Sequence, residues 1–316
     1  MPTDNILHSI PKRFKWAVPG LVLLPLLCIF AGWAEKGEEQ SITFVHSERA
    51  LQPGEVIIIS ARSSRPLHYL RAYAFDGDFP GFSGEGGESW TSLVGIDLET
   101  KPGRYAIELK GAGLDGKNVT ARKVVTVIGK EFPARRLKVD EKFVSPPVDA
   151  LNRIEKERER VGAIFASTTA EKFWRGPFRF PVPGEVISVF GKRNVYNGQA
   201  RSPHAGVDFR GAIGTPVHAP NRGRVVLAAD LYFSGNTAIL DHGLGLYSYL
   251  AHMSEISVRE GDLVEDGSII GKVGATGRVT GPHLHWTIRI GRARIDPLSL
   301  MNALEDRGKS QTTAIR

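Results

Sequence analysis

The chain has 316 residues, enough for two domains, and its 41% hydrophobic and 24% charged residues are ordinary values for globular proteins. The formal net charge of +7 favours an anionic polymer or a membrane surface as a partner. No basic cluster with interleaved aromatic residues occurs, so we expect no nucleic-acid binding. The one cysteine, Cys28, excludes an internal disulfide and a cysteine-ligated metal site.

The N-terminus has the form of an export signal. Lys12, Arg13 and Lys15 precede an uncharged apolar stretch over residues 17–34 that ends in small residues. We expect residues 1–34 to be either a cleaved signal peptide or a membrane anchor, because the stretch is nearly long enough to span a bilayer. Both outcomes predict an exported protein of the periplasm or cell envelope. If the segment is retained, residues 17–34 anchor the protein in the cytoplasmic (inner) membrane.

The chain is predicted to be mainly β. Within residues 41–130, β-branched or alternating runs at 56–59, 105–109 and 124–128 are separated by Pro-Gly and Asp-Gly turns. Regular short strands with this punctuation predict an N-terminal immunoglobulin-like β-sandwich.

The pattern changes after the sandwich. Residues 131–177 are expected to form a linker, in which apolar residues recur at helical spacing and predict a helix over 148–173. Residues 178–300 return to glycine-rich strands. The last residues, 301–316, are expected to be a loose polar tail.

Two histidines lie on one face of a predicted strand near the end of this region. Apolar side chains alternate from Leu284 to Ile290, so His283 and His285 point the same way from a strand whose other face is buried. Neighbours two residues apart on a strand can reach one small centre, and imidazole is a common zinc ligand.

Two further fragments add groups of the same kind. His204 and Asp208 are four residues apart where a loop enters a strand, and they could chelate one ion. Ser248, Leu250 and His252 are predicted to share a face of another strand. Together the fragments describe a three-ligand metal site with two spare histidines. Three protein ligands and an open position are typical of a catalytic rather than a structural zinc.

Residues 180 to 300 resemble the lysostaphin/LytM family of zinc endopeptidases. The resemblance rests on an ordered set of motifs that includes His204-x-x-x-Asp208, Gly214-Thr215-Pro216-Val217, His242-Gly243, His252 and Gly281-Pro282-His283-Leu284-His285. It implies an antiparallel β-sheet peptidase domain over residues 178–300, with one zinc ion in a cleft. It also implies that the zinc ligands are His204, Asp208 and His285, and that the catalytic histidines are His252 and His283.

The resemblance implies a zinc-dependent endopeptidase that hydrolyses the peptide cross-links of bacterial peptidoglycan. Two alternatives stay open. Relatives with damaged sites act as inactive activators or scaffolds for cell-wall amidases, but all five family positions are filled here. A zinc carboxypeptidase acting on stem peptides would use the same residues, so the sequence does not separate it from an endopeptidase. No His-Glu-x-x-His motif is present, and the general base is left open between the two catalytic histidines.

Overall fold

The computed structural model describes residues 40–138, 140–200 and 202–313, and the predicted export signal lies outside this part of the chain. The described residues belong to one compact unit. Over the described ranges, no helix has both the length and the apolar character needed to cross a bilayer.

The protein is mainly antiparallel β, as predicted, and its strands form two large sheets. The first, which we call the amino-terminal sheet, has the strand order β1-β2-β5-β4-β3-β6-β7. Its strands are β1 (Ile42–Glu48), β2 (Val56–Ser63), β3 (Leu67–Ala74), β4 (Gly77–Ser83), β5 (Ser89–Gly95), β6 (Gly103–Gly113) and β7 (Asn118–Val127).

Strand β4 joins the two halves of the amino-terminal sheet. It pairs with β3 up to Pro80 and with β5 from Gly81 onward. The edge strands β1 and β7 also touch. The runs predicted at 56–59 and 105–109 lie within β2 and β6, and β7 contains all of 124–128 except its last residue.

A linker follows, with strand β8 (Ala134–Leu137), a 3-10 helix (Glu141–Phe143) and helix α1 (Val148–Ala166). The predicted end of this helix at residue 173 is wrong. Ser167 is extended, with φ −82° and ψ 160°, and its N–H donates to the carbonyls of Ala163 and Ile164. This cap satisfies the last turn, and residues 167–171 are not helical before Lys172 pairs with Gly243.

The second sheet, which we call the carboxy-terminal sheet, has the central order β17-β14-β15-β16-β19-β12-β9. Strand β18 pairs with β13 and β16, β20 pairs with β19, and β10 forms a small sheet with β11 and β8. The strands are β9 (Val186–Ser188), β10 (Arg193–Tyr196), β11 (Gln199–Ala200), β12 (Val207–Arg210), β13 (Pro216–His218), β14 (Gly223–Leu231), β15 (Gly235–Gly243), β16 (Leu246–Ile256), β17 (Leu263–Val264), β18 (Ile269–Val273), β19 (His283–Ile290) and β20 (Ala293–Ile295).

The expected loose tail is wrong for most of its length, because helix α2 spans Pro297–Thr313. Asp296 Oδ1 accepts a hydrogen bond from the Leu298 N–H, which is the role of an N-cap, and proline is favoured at the first helical position. Leu300, Met301 and Leu304 are buried on one face of the helix. The first two turns of the helix, through Leu304, therefore pack onto the protein.

A buried ion cluster joins the amino-terminal sheet to helix α2. Glu55 is 1% exposed, and its carboxylate accepts hydrogen bonds from Arg49 at 2.8 Å, Lys130 at 3.1 Å and Ser299 at 2.7 Å. Arg49 also reaches Asp296 at 3.1 Å. Around this cluster, apolar residues of both large sheets form one continuous core.

Candidate metal centre and active site

The three predicted metal ligands meet at one point. Asp208 on β12 lies directly opposite His285 on β19, and the loop before β12 brings in His204. His204 Nε2 lies 2.9 Å from Asp208 Oδ1 and 3.0 Å from His285 Nδ1, and the last two atoms are 2.8 Å apart. Among the described residues, this is the one group of three or more His, Cys, Asp or Glu side chains that could hold a metal ion.

The proton positions show why this cluster fits a cation. His204 Nδ1 lies 3.0 Å from the Val189 carbonyl oxygen, which can only accept, so Nδ1 carries the hydrogen. In the neutral ring the lone pair of Nε2 then points at the Asp208 carboxylate. His285 is held on its far side by Thr287, 2.8 Å from Nε2. The His204 lone pair facing a carboxylate at this distance requires a positive charge between them, a proton or a metal ion. Two nitrogens with one oxygen are a donor set that suits zinc.

The two predicted catalytic histidines lie beside this cluster. The rings of His252 and His283 are 4.9 Å apart, and His283 Nε2 lies 3.8 Å from Asp208 Oδ1. His252 Nδ1 is 2.9 Å from the Thr276 carbonyl oxygen, and His283 Nδ1 is 2.8 Å from that of Gly281. Because both Nδ1 atoms donate to carbonyls, Nε2 carries the lone pair of each neutral ring.

The predicted placement of His252 on its strand is wrong. The three candidate metal ligands, His204, Asp208 and His285, are called the metal cluster below. Ser248 lies in the core with Trp286, whereas Tyr249, Ala251 and His252 line the cavity at the metal cluster. The pairing of β15 with β16 shifts register on either side of Thr237, and His252 has φ +66°. This bulge and the left-handed backbone turn the imidazole to the opposite side of the strand.

Burial and charge set the proton affinities of the cluster. Burial raises the pKa of Asp208, but the hydrogen bonds and charges of His204 and His285 outweigh it and hold that pKa well below the usual range. Burial lowers the pKa of His204, yet Asp208 reverses the effect and the net shift is upward. Burial, reinforced by His285 and His283, lowers the pKa of His252 to about 3. His252 is therefore neutral near pH 7, with Nε2 unprotonated.

The cluster opens into a cavity of about 390 Å³. Its wall includes residues that no sequence motif singled out, notably Phe233 and Arg278, whose guanidinium lies 4.8 Å from the centre of the Phe233 ring. Phe233 lies in the turn between β14 and β15. A hydrophobic residue in a turn carries no periodic signal, so its role depends on the fold.

Helix α1 holds this β14–β15 turn. Glu157 accepts a hydrogen bond from the Tyr232 N–H at 2.8 Å. Arg153 Nη2 donates to the Asp230 carbonyl at 2.9 Å, and its guanidinium lies over the Tyr232 ring. The linker thus supports one wall of the cavity from behind.

His242 has a structural role instead. It is fully buried, with Nδ1 donating to the Arg222 carbonyl at 2.8 Å and Nε2 lying 2.8 Å from Ser248 Oγ. Burial lowers the pKa of this imidazole to about 4.

A mainly antiparallel β-protein with a His-Asp-His cluster and two further histidines beside a cavity has the groups of a metal-dependent hydrolase. The model of Peptidase family M23 matches residues 202–297. A crystallised Pseudomonas aeruginosa protein described as an M23 peptidase is 32% identical, with a TM-score of 0.62 over 79% of this chain and 94% of that one. The chain belongs to peptidase family M23.

Curated relatives carry more specific names. Peptidoglycan DD-endopeptidase ShyA of Vibrio cholerae is 39% identical over 128 residues, which are 40% of this chain and 29% of that protein. DD-carboxypeptidase/endopeptidase Mpg of Neisseria meningitidis serogroup B is 39% identical over 97 residues, which are 31% of this chain and 22% of that one. The similarity therefore spans less than a third of the length of either relative.

Proposed function

We propose that this protein is a zinc-dependent endopeptidase that hydrolyses peptide cross-links of bacterial peptidoglycan. The observation that carries the proposal is the convergence of His204, Asp208 and His285 within 3.0 Å of one another, with His252 and His283 beside them. The names of the relatives support the substrate.

His204 Nε2, Asp208 Oδ1 and His285 Nδ1 would hold one zinc ion, and the Val189 carbonyl and Thr287 hydroxyl would keep the two rings in place. When bound, zinc supplies a Lewis acid that polarises the peptide carbonyl and lowers the pKa of water.

The proton transfers would be carried out by His252 and His283. The Thr276 and Gly281 carbonyls fix Nε2 of His252 and His283 as the free nitrogens. One such nitrogen can take the proton of the attacking water, and a protonated ring can stabilise the developing oxyanion or protonate the leaving amine. The pair thus supplies both acid and base without a glutamate.

The assignment is tested by separating metal binding from turnover. Asp208→Ala and His204→Ala should lose zinc, whereas His283→Ala and His252→Ala should keep about one zinc per chain and lose turnover by about 10²–10⁴-fold. Zinc is measured by elemental analysis, and turnover by mass spectrometry of products from purified sacculi. Equal zinc loss in all four variants would contradict this division of labour.

A second candidate activity is a carboxypeptidase acting on stem peptides, because the Neisseria relative is named for both activities. The same product analysis distinguishes the two. Conversion of cross-linked dimers to monomers indicates an endopeptidase, and release of a terminal D-alanine indicates a carboxypeptidase. An inactive activator of amidases would yield neither product, so a zinc-loaded protein without turnover would favour that role.

We also propose that residues 1–34 direct export to the periplasm or cell envelope, where peptidoglycan lies, with residues 17–34 as an inner-membrane anchor if they are retained. Their basic flank and apolar run support this. Fractionation and mass measurement of the purified protein test the proposal. An intact chain in the cytosol would contradict it.

We also propose the domain arrangement that the sequence pattern predicts. Residues 41–130 are an immunoglobulin-like sandwich, 131–177 a linker and 178–300 the peptidase domain. The seven strands, with β4 shared between two groups, support a sandwich. A crystal structure with one open sheet in place of two packed layers would disprove it.

A further inference from the structure

A second cavity, of about 600 Å³, lies next to the one at the metal cluster. Ser202 and Pro203 line both cavities, and His204 is the next residue. A substrate strand bound at the metal cluster would therefore reach the second cavity after passing only Ser202 and Pro203. We call the second cavity the side cavity.

The side cavity is built by parts of the chain that lie largely outside residues 202–297, the range of the family match. Its lining comes from loops that flank the strands of the amino-terminal sheet, from the linker and from strand β10, and it includes Pro53, Leu98, Phe132 and Val195. These side chains make part of its wall apolar. The amino-terminal region thus extends the surface that a long substrate would meet.

Four charged residues line the side cavity, and two of them are neutralised. Glu99 accepts a hydrogen bond from Arg294 at 2.6 Å, and Lys130 pairs with the buried Glu55 at 3.1 Å. Lys101 and Arg193 are exposed, and neither side chain has an ion pair with any residue that the structure describes. The lining therefore carries two uncompensated positive charges beside an apolar wall.

We propose that the side cavity binds a carboxylate-bearing segment of the same polymer whose peptide bond is cut at the metal cluster. The inference rests on the proposed function, because peptidoglycan peptides carry free carboxylates along an extended strand. Lys101 and Arg193 attract the carboxylate, and the apolar wall covers the rest of the segment. The side cavity is an extended substrate subsite that the amino-terminal region adds to the peptidase domain.

The test is binding of the full chain to purified sacculi on ice in the presence of a chelator, which keeps turnover low. Reversing both charges, in Lys101→Glu/Arg193→Glu, should weaken binding about tenfold at low salt, and the difference should shrink at high salt. The matched control is Arg65→Glu/Lys117→Glu. It makes the same change in net charge at exposed turns of the amino-terminal sheet and should bind like the unaltered protein.

Amidation of the sacculus carboxylates identifies the ligand. Amidated sacculi should bind the unaltered protein as weakly as untreated sacculi bind Lys101→Glu/Arg193→Glu. The proposal is overturned if that variant binds normally, if the control pair loses as much binding, or if the difference survives amidation. Turnover is not measured here, so a protein that binds through these residues but cuts nothing would refute only the proposed function.

Discussion

The two large sheets place their unusual backbone conformations differently. In the amino-terminal sheet, the non-glycine residues with left-handed φ are Phe75 and Asp76, in the two-residue turn between β3 and β4. In the carboxy-terminal sheet, Leu244 has left-handed φ in the turn between β15 and β16, but His252 has left-handed φ inside strand β16. A turn needs such residues to reverse the chain, whereas a strand does not. Strain inside a strand therefore points to function, and here it aims an imidazole.

The largest effect is expected from separating the imidazole of His252 from its backbone. His252→Ala and His252→Gly should both lose about 10²–10⁴-fold in turnover because both remove the ring. His252→Gly should nevertheless be about 1 kcal/mol more stable than His252→Ala, since only glycine adopts positive φ without steric cost. Product assays and denaturant unfolding measure the two effects. Equal stability of the variants would mean that the strand holds no strain at this position.

His252 is a site residue whose orientation the sequence predicted wrongly. The alternation along β19 placed His283 and His285 on one face correctly, because that strand pairs with β12 and β16 without a register shift. The same rule put His252 on the wrong face, because period-two alternation fails at a bulge. A bulge depends on the pairing with β15, which is not local in sequence.

The ends of the helices show a similar limit. The end of α1 at Ala166 depends on a single serine cap, which is a weak signal within an otherwise helical pattern. The start of α2 was readable, since Asp296-Pro297 is a helix-start pattern. Burial of its apolar face, and the ion cluster around Glu55, require the amino-terminal sheet to be in place, and pattern reasoning along the chain does not reveal such long-range contacts.

The ion cluster around Glu55 joins the amino-terminal sheet to helix α2. Disrupting it tests whether the two large sheets unfold separately. Glu55→Ala leaves Arg49 and Lys130 without their buried partner and should destabilise the protein by about 3–5 kcal/mol. Because the core is continuous, thermal unfolding should remain one transition at a lower temperature. Glu108→Ala, which removes only exposed ion pairs on β6, should change stability by less than about 1 kcal/mol. Two separated transitions would show that the sheets are independent.

A smaller effect is expected from the buried His242 of the carboxy-terminal sheet. Its pKa is about 4 in the folded protein and 6.5 in the reference state, so the unfolded chain binds the extra proton between these values. Stability is therefore full above about pH 6.5 and falls as the pH drops towards 4, by up to about 3 kcal/mol from this residue. His242→Gln should flatten this part of the profile in urea titrations. His68→Gln, on an exposed position of β3, should not, and an unchanged slope in the first variant would rule out His242 as the source.

The smallest effect is expected from a contact that holds the turn between β14 and β15. The Phe75–Asp76 turn forms no wall of the cavity at the metal cluster, whereas the β14–β15 turn supplies Phe233 to that wall and is held from behind by Arg153 of α1. Arg153→Ala should therefore raise KM by about threefold with little change in kcat, because exposed contacts of this kind are worth under about 1 kcal/mol. Arg158→Ala on the same helix, which loses only its pair with Glu155, should leave both constants unchanged. If the two variants behave alike, Arg153 does not position the turn, and the hydrogen bond from the Tyr232 N–H to Glu157 holds it instead.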